Sequence, residues 1–215
     1  MDKLEFFEFS EKSYGKFRVS NRDSWFDKNE FIWGQVNIPR LIDFWHYDGG
    51  NNPQDLVATG WSSLYLLSEK AITLLCDNNI TGWKTYPALL HDKKKNIIEG
   101  YSMLAITGRC GSIDWSKSTV FQKQFAPNAP FVDMLRGINF DISTWDGSDF
   151  FIVKNTLHIL TTQKVMDLFV KNKITNVRFT NIHEFEMLRS TAFPEEYPID
   201  TDLFNTFMDK MQITS

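Results

Sequence analysis

The sequence predicts an α+β protein of two related strand–helix–strand lobes, with a mixed and mainly antiparallel sheet. Two observations support this prediction. First, the segment LSEKAITLLCDNNITGW at 67–83 returns in recognisable form as TTQKVMDLFVKNKITNV at 161–177. Second, short apolar runs flank the copies, and such runs are typical of strands when turn-forming residues separate them. Two copies are too few for a solenoid array, so a duplicated structural unit is expected.

The two copies align with an offset of 94 residues, and they share the residues that start, pack and end a helix. The identical pairs are Leu66/Leu160, Lys70/Lys164, Leu74/Leu168, Asn78/Asn172, Ile80/Ile174 and Thr81/Thr175. Ser68 and Thr162 occupy the equivalent N-cap position, where a side-chain oxygen accepts from free backbone N–H groups. Apolar residues then recur at helical spacing in both copies. The sequence therefore predicts helices over 68–78 and 162–172.

Strands are predicted on both sides of the first helix and before the second. The run SLYLL (63–67) suits a buried strand, and GWKTYPALL (82–90) with YSMLAIT (101–107) suits an antiparallel pair. Pro87 has no backbone N–H to donate, so it is expected at an edge or at a strand end. The runs FFIV and LHIL within 150–160 predict a tight hairpin.

The whole chain, 1–215, is expected to form one compact unit with four consecutive segments. They are an aromatic N-terminal region (1–60), a first module (61–118), a connector with the second module (119–182) and an acidic C-terminal tail (183–215). A chain of this length buries enough surface to build a sizeable core without disulfides or structural metals.

Composition and charge limit the classes of function. The formal net charge is −4, but residues 183–215 hold seven acids and two bases, a net of −5. Such a field repels nucleic acid, whose phosphates require Lys and Arg. Two Cys make no disulfide framework, and the start MDKLEFFEFSEK lacks the pattern of a signal peptide. No window is apolar enough to span a membrane, so a cytoplasmic protein is expected.

No known motif for phosphate binding, metal binding or nucleophilic catalysis occurs in the sequence, and no cofactor is predicted. Two places remain for chemistry. Cys110 follows Arg109 in an expected turn, where the positive charge would lower the thiol pKa. His46 and Asp48 lie in HYDGG, which resembles a catalytic loop but is first of all a turn. The alternative function is therefore a small cytoplasmic hydrolase or transferase of unknown substrate that uses Cys110 or the His46–Asp48 loop.

The stretches LYLLSEKAITLLCDNNITGWKTYPALL (64–90) and YSMLAI…CGSIDWSKS (101–118) resemble immunity family eleven of bacterial polymorphic toxin systems. The matching positions are Leu67, Ser68, Glu69, Thr81, Gly82, Asp114 and Ser118, and in the second unit Leu160, Thr161, Thr162, Ile174 and Thr175. Asn176 departs from the pattern, in which a Gly is expected, but Asn also tolerates positive φ. The resemblance covers roughly residues 40–182.

The resemblance implies a non-catalytic protein without a cofactor, which binds a cognate toxin and neutralises it. Recognition is then expected outside the repeat, where two groups of residues stand out. Trp25, Phe26, Trp33 and Trp45 are candidate aromatic anchors, since buried aromatic residues dominate many interfaces. Glu195, Glu196, Asp200 and Asp202 are candidate steering charges toward a basic toxin such as a nuclease.

Overall fold

The computed structural model describes residues 4–12, 17–21, 27–37, 41–154 and 156–192. The chain divides into two compact units, each made from two stretches of sequence. Unit 1 contains Met1–Asp114 and Asn139–Ile182, and unit 2 contains Trp115–Ile138 and His183–Ser215. Unit 2 begins as an insertion in the chain of unit 1. The single compact unit with four consecutive segments stays a prediction.

The described residues form many short strands and a few helices. The strands are β1 (Phe6–Glu11), β2 (Arg18–Ser20), β3 (Ile42–Asp48), β4 (Leu56–Ala58), β5 (Tyr65–Ser68), β6 (Trp83–His91), β7 (Ile97–Ile98), β8 (Tyr101–Ile106), β9 (Gly108–Ser112), β10 (Thr119–Lys123), β11 (Val132–Arg136), β12 (Phe150–Lys154), β13 (Ile159–Thr162), β14 (Val177–Asn181) and β15 (Glu186–Leu188). The helices are α1 (Lys28–Ile32), α2 (Glu69–Asp77), α3 (Gln163–Lys171) and α4 (Arg189–Ala192), with short 3-10 turns at Trp115–Lys117 and Ile142–Thr144.

The two main helices confirm the helices predicted from the repeat. Ser68 caps α2, and its hydroxyl oxygen accepts from the backbone N–H of Ala71 at 3.2 Å. Thr162 stands at the same position before α3, although its side chain makes no cap hydrogen bond. Each helix ends next to a residue with positive φ, Asn79 at 49° and Lys173 at 53°. The repeat therefore encodes the same helix twice.

Unit 1 contains a closed six-stranded barrel, which the sequence did not predict. Its strands pair in the order β3-β2-β4-β5-β8-β6, and β3 also pairs with β6, which closes the ring. β7 pairs antiparallel with the end of β6, on the same edge of β6 as β8, through Leu90 with Ile98 and His91 with Ile97. The β2–β4 and β3–β6 pairings are parallel, whereas the others within the barrel are antiparallel. The fold is thus α+β with a mixed, mainly antiparallel sheet, but it is not simply a pair of lobes.

The second sheet of unit 1 is open and repeats the strand order of the barrel. Its order is β9-β12-β13-β1-β14, and it matches β2-β4-β5-β8-β6 strand for strand, including the parallel β9–β12 pair. The antiparallel β12–β13 pair confirms the predicted hairpin. The duplication therefore covers nearly all of unit 1, from β1 to β6 and again from β8 to β14. We call these stretches repeat 1 (residues 6–91) and repeat 2 (residues 101–114 and 139–182), which leaves out β10 and β11 of unit 2.

The two repeats exchange their first strands. α2 joins β5 to β6, and β8 of repeat 2 lies between those two strands. α3 joins β13 to β14, and β1 of repeat 1 lies between them. The register is equivalent as well, because Ser68 pairs with Tyr101 and Thr162 pairs with Phe6. Each sheet is therefore completed by a strand from the other repeat.

Pro87 lies inside β6 and not at its end. Its neighbours Trp83 to Tyr86 pair with β8, and Ala88 to His91 pair in parallel with β3. Pro87 thus marks the point at which β6 gains β3 as a partner. A residue without a backbone N–H is tolerated at this position because the ladder with β3 begins one residue later.

One continuous hydrophobic core links the two sheets of unit 1. Phe9 of β1 is 1% exposed, and its ring centroid lies 5.4 Å from Phe150 and 6.0 Å from Tyr65 of the barrel. Ala71 and Leu75 of α2 are fully buried in the same core, as is Val165 of α3. The apolar helix faces identified in the repeat are therefore used for packing.

Unit 2 contains a small antiparallel sheet with the order β10-β11-β15. Met134 and Leu135 of β11 are buried, together with Met187 of β15. The Glu186 carboxylate accepts from Lys123 Nζ at 2.7 Å and from Arg136 Nη2 at 2.7 Å, so it ties all three strands together.

Candidate partner-binding surfaces

Most of the residues predicted to meet a partner lie outside the described residues. They are Trp25, Phe26, Glu195, Glu196, Asp200 and Asp202. Their roles as anchors and steering charges stay predictions. Trp33 and Trp45 are described, and both are partly buried.

Trp33 stands at the C-terminal end of α1 and faces a cavity. The cavity has a volume of about 300 Å³, and its walls are formed by Trp33, Arg109, Cys110, Ile152, Val153, Lys154 and Thr156. The Arg109 guanidinium donates to the carbonyl oxygens of Ile106 at 2.7 Å, Gly108 at 2.8 Å and Trp33. Burial lowers the pKa of Arg109, and the negative charge of Asp146 offsets this shift only in part. Its N–H groups are thus engaged by backbone, which gives Arg109 a structural role.

Trp45 packs flat against an imidazole. Its ring lies 3.9 Å from that of His91, with an angle of 9° between the planes. His91 Nε2 lies 2.6 Å from Asp43 Oδ1 in the same part of the barrel. The side chain of Trp45 therefore stabilises the parallel β3–β6 pair, whatever it offers to a partner.

Cys110 lies in a strand and not in the expected turn. It is the central residue of β9, it is 5% exposed, and it lines the cavity beside Arg109. Burial raises the pKa of the Cys110 thiol to about 12, and the nearby Asp146 carboxylate adds to this effect. The expectation that Arg109 would lower this pKa is wrong, because burial outweighs the neighbouring positive charge. A protonated thiol is a poor nucleophile, so the geometry does not favour catalysis here.

His46 and Asp48 do not form an acid–base pair. Both belong to β3, and the loop begins only after them. The imidazole of His46 is buried and stacks on Phe17 at 3.9 Å. Its Nε2 contacts the backbone oxygen of Asp48 at 2.8 Å, whereas the Asp48 carboxylate accepts from the Gly49 N–H. These contacts are those of a strand end and its turn.

The most exposed aromatic side chains of the described residues lie on unit 2, in the loop between β10 and β11. Phe125 and Phe131 are each 63% exposed, and Val120 of the preceding strand is 55% exposed. The connecting sequence QFAPNAPF contains no charged residue. We call residues 124–131 the aromatic loop.

The aromatic loop is held by local contacts. Gln124 Nε2 donates to the carbonyl oxygen of Ala129 at 2.8 Å, and Ala129 N–H donates to Ala126 at 3.1 Å. Asn128 takes φ of 68°, which turns the chain between the two prolines. The prolines of this segment indicate an irregular loop from the sequence alone. An isolated Phe usually packs inward, however, so the exposure of Phe125 and Phe131 depends on the tertiary structure.

Within the described ranges, no three His, Cys, Asp or Glu residues are placed to hold a metal ion. The helices of these ranges are too short and too polar to cross a bilayer.

No family model matches the chain, and no curated protein is similar to it.

Proposed function

We propose that this chain is a non-catalytic binding protein, an immunity protein that neutralises a cognate bacterial toxin by direct binding in the cytoplasm. The proposal rests on the resemblance carried by the two units at 64–90 and 160–175, and on the exposed aromatic loop. The observation that carries it is the pair Phe125 and Phe131, each 63% exposed on a loop without charge. Exposed apolar clusters on a protein surface mark sites of interaction.

The aromatic loop has the properties of a binding element. Burying a Phe side chain contributes roughly 1.5–3 kcal/mol, and a central aromatic anchor contributes about 2 kcal/mol or more to a complex. Pro127 and Pro130 restrict the backbone around the two rings. A restricted loop loses less conformational entropy on binding, which favours affinity. The acidic tail, with Glu195, Glu196, Asp200 and Asp202, is proposed to steer a basic toxin toward this protein.

The first test is genetic. The gene next to the one that encodes this chain should encode a large secreted protein with a variable C-terminal toxin domain. Co-expression of the chain should protect cells from that domain, and the two proteins should elute as one stoichiometric complex in gel filtration. Failure of co-expression to protect against the neighbouring toxin domain would contradict the proposal.

The second test addresses the surface. The double substitution Phe125→Ala and Phe131→Ala should weaken toxin binding by about 30-fold or more per anchor, from roughly 2 kcal/mol each. Val170→Ala is the matched control, because Val170 is 66% exposed on α3 and lies outside the loop. Unchanged affinity of the double variant, measured by calorimetry, would remove the aromatic loop from the interface.

A further inference from the structure

The carboxylate of Asp55 joins the two repeats of unit 1. Oδ1 accepts from the hydroxyl of Ser68 at 2.7 Å, within repeat 1. Oδ2 accepts from the backbone N–H and the hydroxyl of Thr175 of repeat 2, both at 2.8 Å. Lys70 Nζ lies 3.6 Å from the same oxygen. Burial alone would raise the pKa of Asp55, but these hydrogen bonds and Lys70 hold it below its ordinary value.

Asp149 makes the same contacts in the opposite direction. Its Oδ1 accepts from the hydroxyl of Thr162 at 3.0 Å, within repeat 2. Its Oδ2 accepts from the backbone N–H of Thr81 at 3.0 Å and from the Thr81 hydroxyl at 3.2 Å, in repeat 1. Lys164 Nζ lies 3.2 Å away. Asp149, Thr162 and Lys164 each stand 94 positions after their counterparts Asp55, Ser68 and Lys70. Thr81 stands 94 positions before its counterpart Thr175, so the contact runs in the reverse direction between the repeats.

The backbone around the two carboxylates is equally reciprocal. Leu56 N–H donates to the carbonyl oxygen of Thr175 at 3.2 Å, and Phe150 N–H donates to that of Thr81 at 3.0 Å. The side chains of Lys70 and Lys164 also make hydrogen bonds from one repeat to the other. Lys70 reaches the carbonyl oxygen of Lys173 at 3.4 Å, and Lys164 reaches that of Asn79 at 3.3 Å.

Gly82 follows Thr81, and Asn176 follows Thr175. At both positions the backbone of one repeat closely approaches the backbone of the other. A Cβ atom on Gly82 would overlap the carbonyl oxygen of Phe150, and Gly82 has φ of 82°. Asn176 takes φ of 64° and donates from Nδ2 to the carbonyl oxygen of Leu56 at 2.8 Å. The sequence has Asn at position 176, where the family pattern has Gly. The structure accommodates this difference because Asn176 adopts positive φ and makes a hydrogen bond to the other repeat.

We propose that Asp55 and Asp149 couple the two repeats reciprocally, so that local unfolding at the helix start of one repeat is accompanied by local unfolding in the other. Each carboxylate connects the start of the helix in its own repeat to the threonine that shortly precedes the last sheet strand of the other repeat. Asp55 thus reaches Thr175 before β14, and Asp149 reaches Thr81 before β6. The exchanged strands β1 and β8 add to this coupling, because neither sheet is complete without the other repeat. Opening at one helix start therefore breaks contacts in both repeats. This inference does not depend on the identity of the partner.

Hydrogen exchange of the intact protein tests the proposal. In Asp55→Asn, peptides from the α2 start and from the segment around Thr175 should both exchange at least about tenfold faster, because hydrogen bonds to a charged group are lost. Asp149→Asn should give the mirror result around Thr162 and Thr81. Acceleration confined to the repeat that carries the substitution would overturn the proposal.

Asp92→Asn is the matched control. The Asp92 carboxylate also accepts from backbone N–H groups, of Lys94 at 2.7 Å and of Asn96 at 2.8 Å, but only within its own turn. Its effect should stay within residues 91–98. If the aspartate variants do not fold, Thr175→Val and Thr81→Val remove one hydroxyl each and should still accelerate exchange in both repeats. Exchange that stays unchanged around Ser68 in Thr175→Val would contradict the reciprocal coupling.

Discussion

Glu8 makes the stability of unit 1 depend on pH in a direction that is unusual for a carboxylate. It lies in the middle of β1 and is 8% exposed. The Ser10 hydroxyl donates to Glu8 Oε2 at 3.0 Å, and Arg178 donates to the Ser10 oxygen from Nε and Nη2. Burial raises the pKa of Glu8 to about 7, and the Ser10 hydrogen bond and the charge of Arg178 offset this only in part.

The sign of the effect follows from proton binding. The folded protein keeps the proton on Glu8 up to a pH near 7, whereas the unfolded chain releases it near the ordinary value of 4.5. Between these values the folded state binds more protons, so the free energy of unfolding falls as the pH rises. A shift of this size corresponds to about 3 kcal/mol, which is the full loss expected above pH 7.

The substitution Glu8→Gln tests this linkage, because Gln keeps an acceptor for Ser10 and cannot ionise. At pH 8 the variant should be more stable than the original protein by up to about 3 kcal/mol, and near pH 4.5 the two should be equal. The assay is urea denaturation followed by circular dichroism at several pH values. Glu99→Gln, at an exposed position, is the control. An advantage of Glu8→Gln that is the same at pH 4.5 and pH 8 would refute the reasoning.

Three further outcomes are expected. Gly82→Ala should destabilise unit 1 by about 3 kcal/mol or more, because its Cβ overlaps the Phe150 carbonyl oxygen and φ is positive; an unchanged denaturation midpoint would exclude this clash. Trp45→Ala should cost about 2 kcal/mol through loss of its stacked ring, and dissociation from a partner should also speed up if the ring is an anchor. A thiol reagent at pH 8 should label exposed Cys76 well before Cys110, as mass spectrometry of the labelled protein would show; equal rates would contradict the buried, protonated state of Cys110.

Local features of the sequence were sufficient to predict the duplicated helices. The cap, the apolar face and the asparagines at the end lie within one stretch of about a dozen residues, so α2 and α3 were found at their observed positions. The β12–β13 hairpin was predicted for the same reason, because both strands and their turn are adjacent in the chain. Asn176 was correctly expected to tolerate positive φ.

The candidate sites were harder to predict, because exposure and pKa depend on what packs around a residue. Cys110 has a favourable charged neighbour in sequence, yet burial in β9 reverses the direction of its pKa. Phe125 and Phe131 are not singled out by any pattern in the sequence, because an isolated Phe usually packs inward, and both are exposed in the structure. The sequence contains no local signal for either outcome.

What the sequence determined by itself is the repeated unit, since helix capping and amphipathic spacing act within a few residues. What only the tertiary structure decided is how the two copies are combined. The barrel closes through the parallel β3–β6 pair, whose paired residues lie 46 positions apart in the chain, as Ile42 and Ala88 do. The exchange of β1 and β8, and the meeting of Asp55 with Thr175, likewise join residues that are far apart in sequence. Such contacts depend on strand pairing and loop closure across the whole unit, and short-range patterns do not encode them.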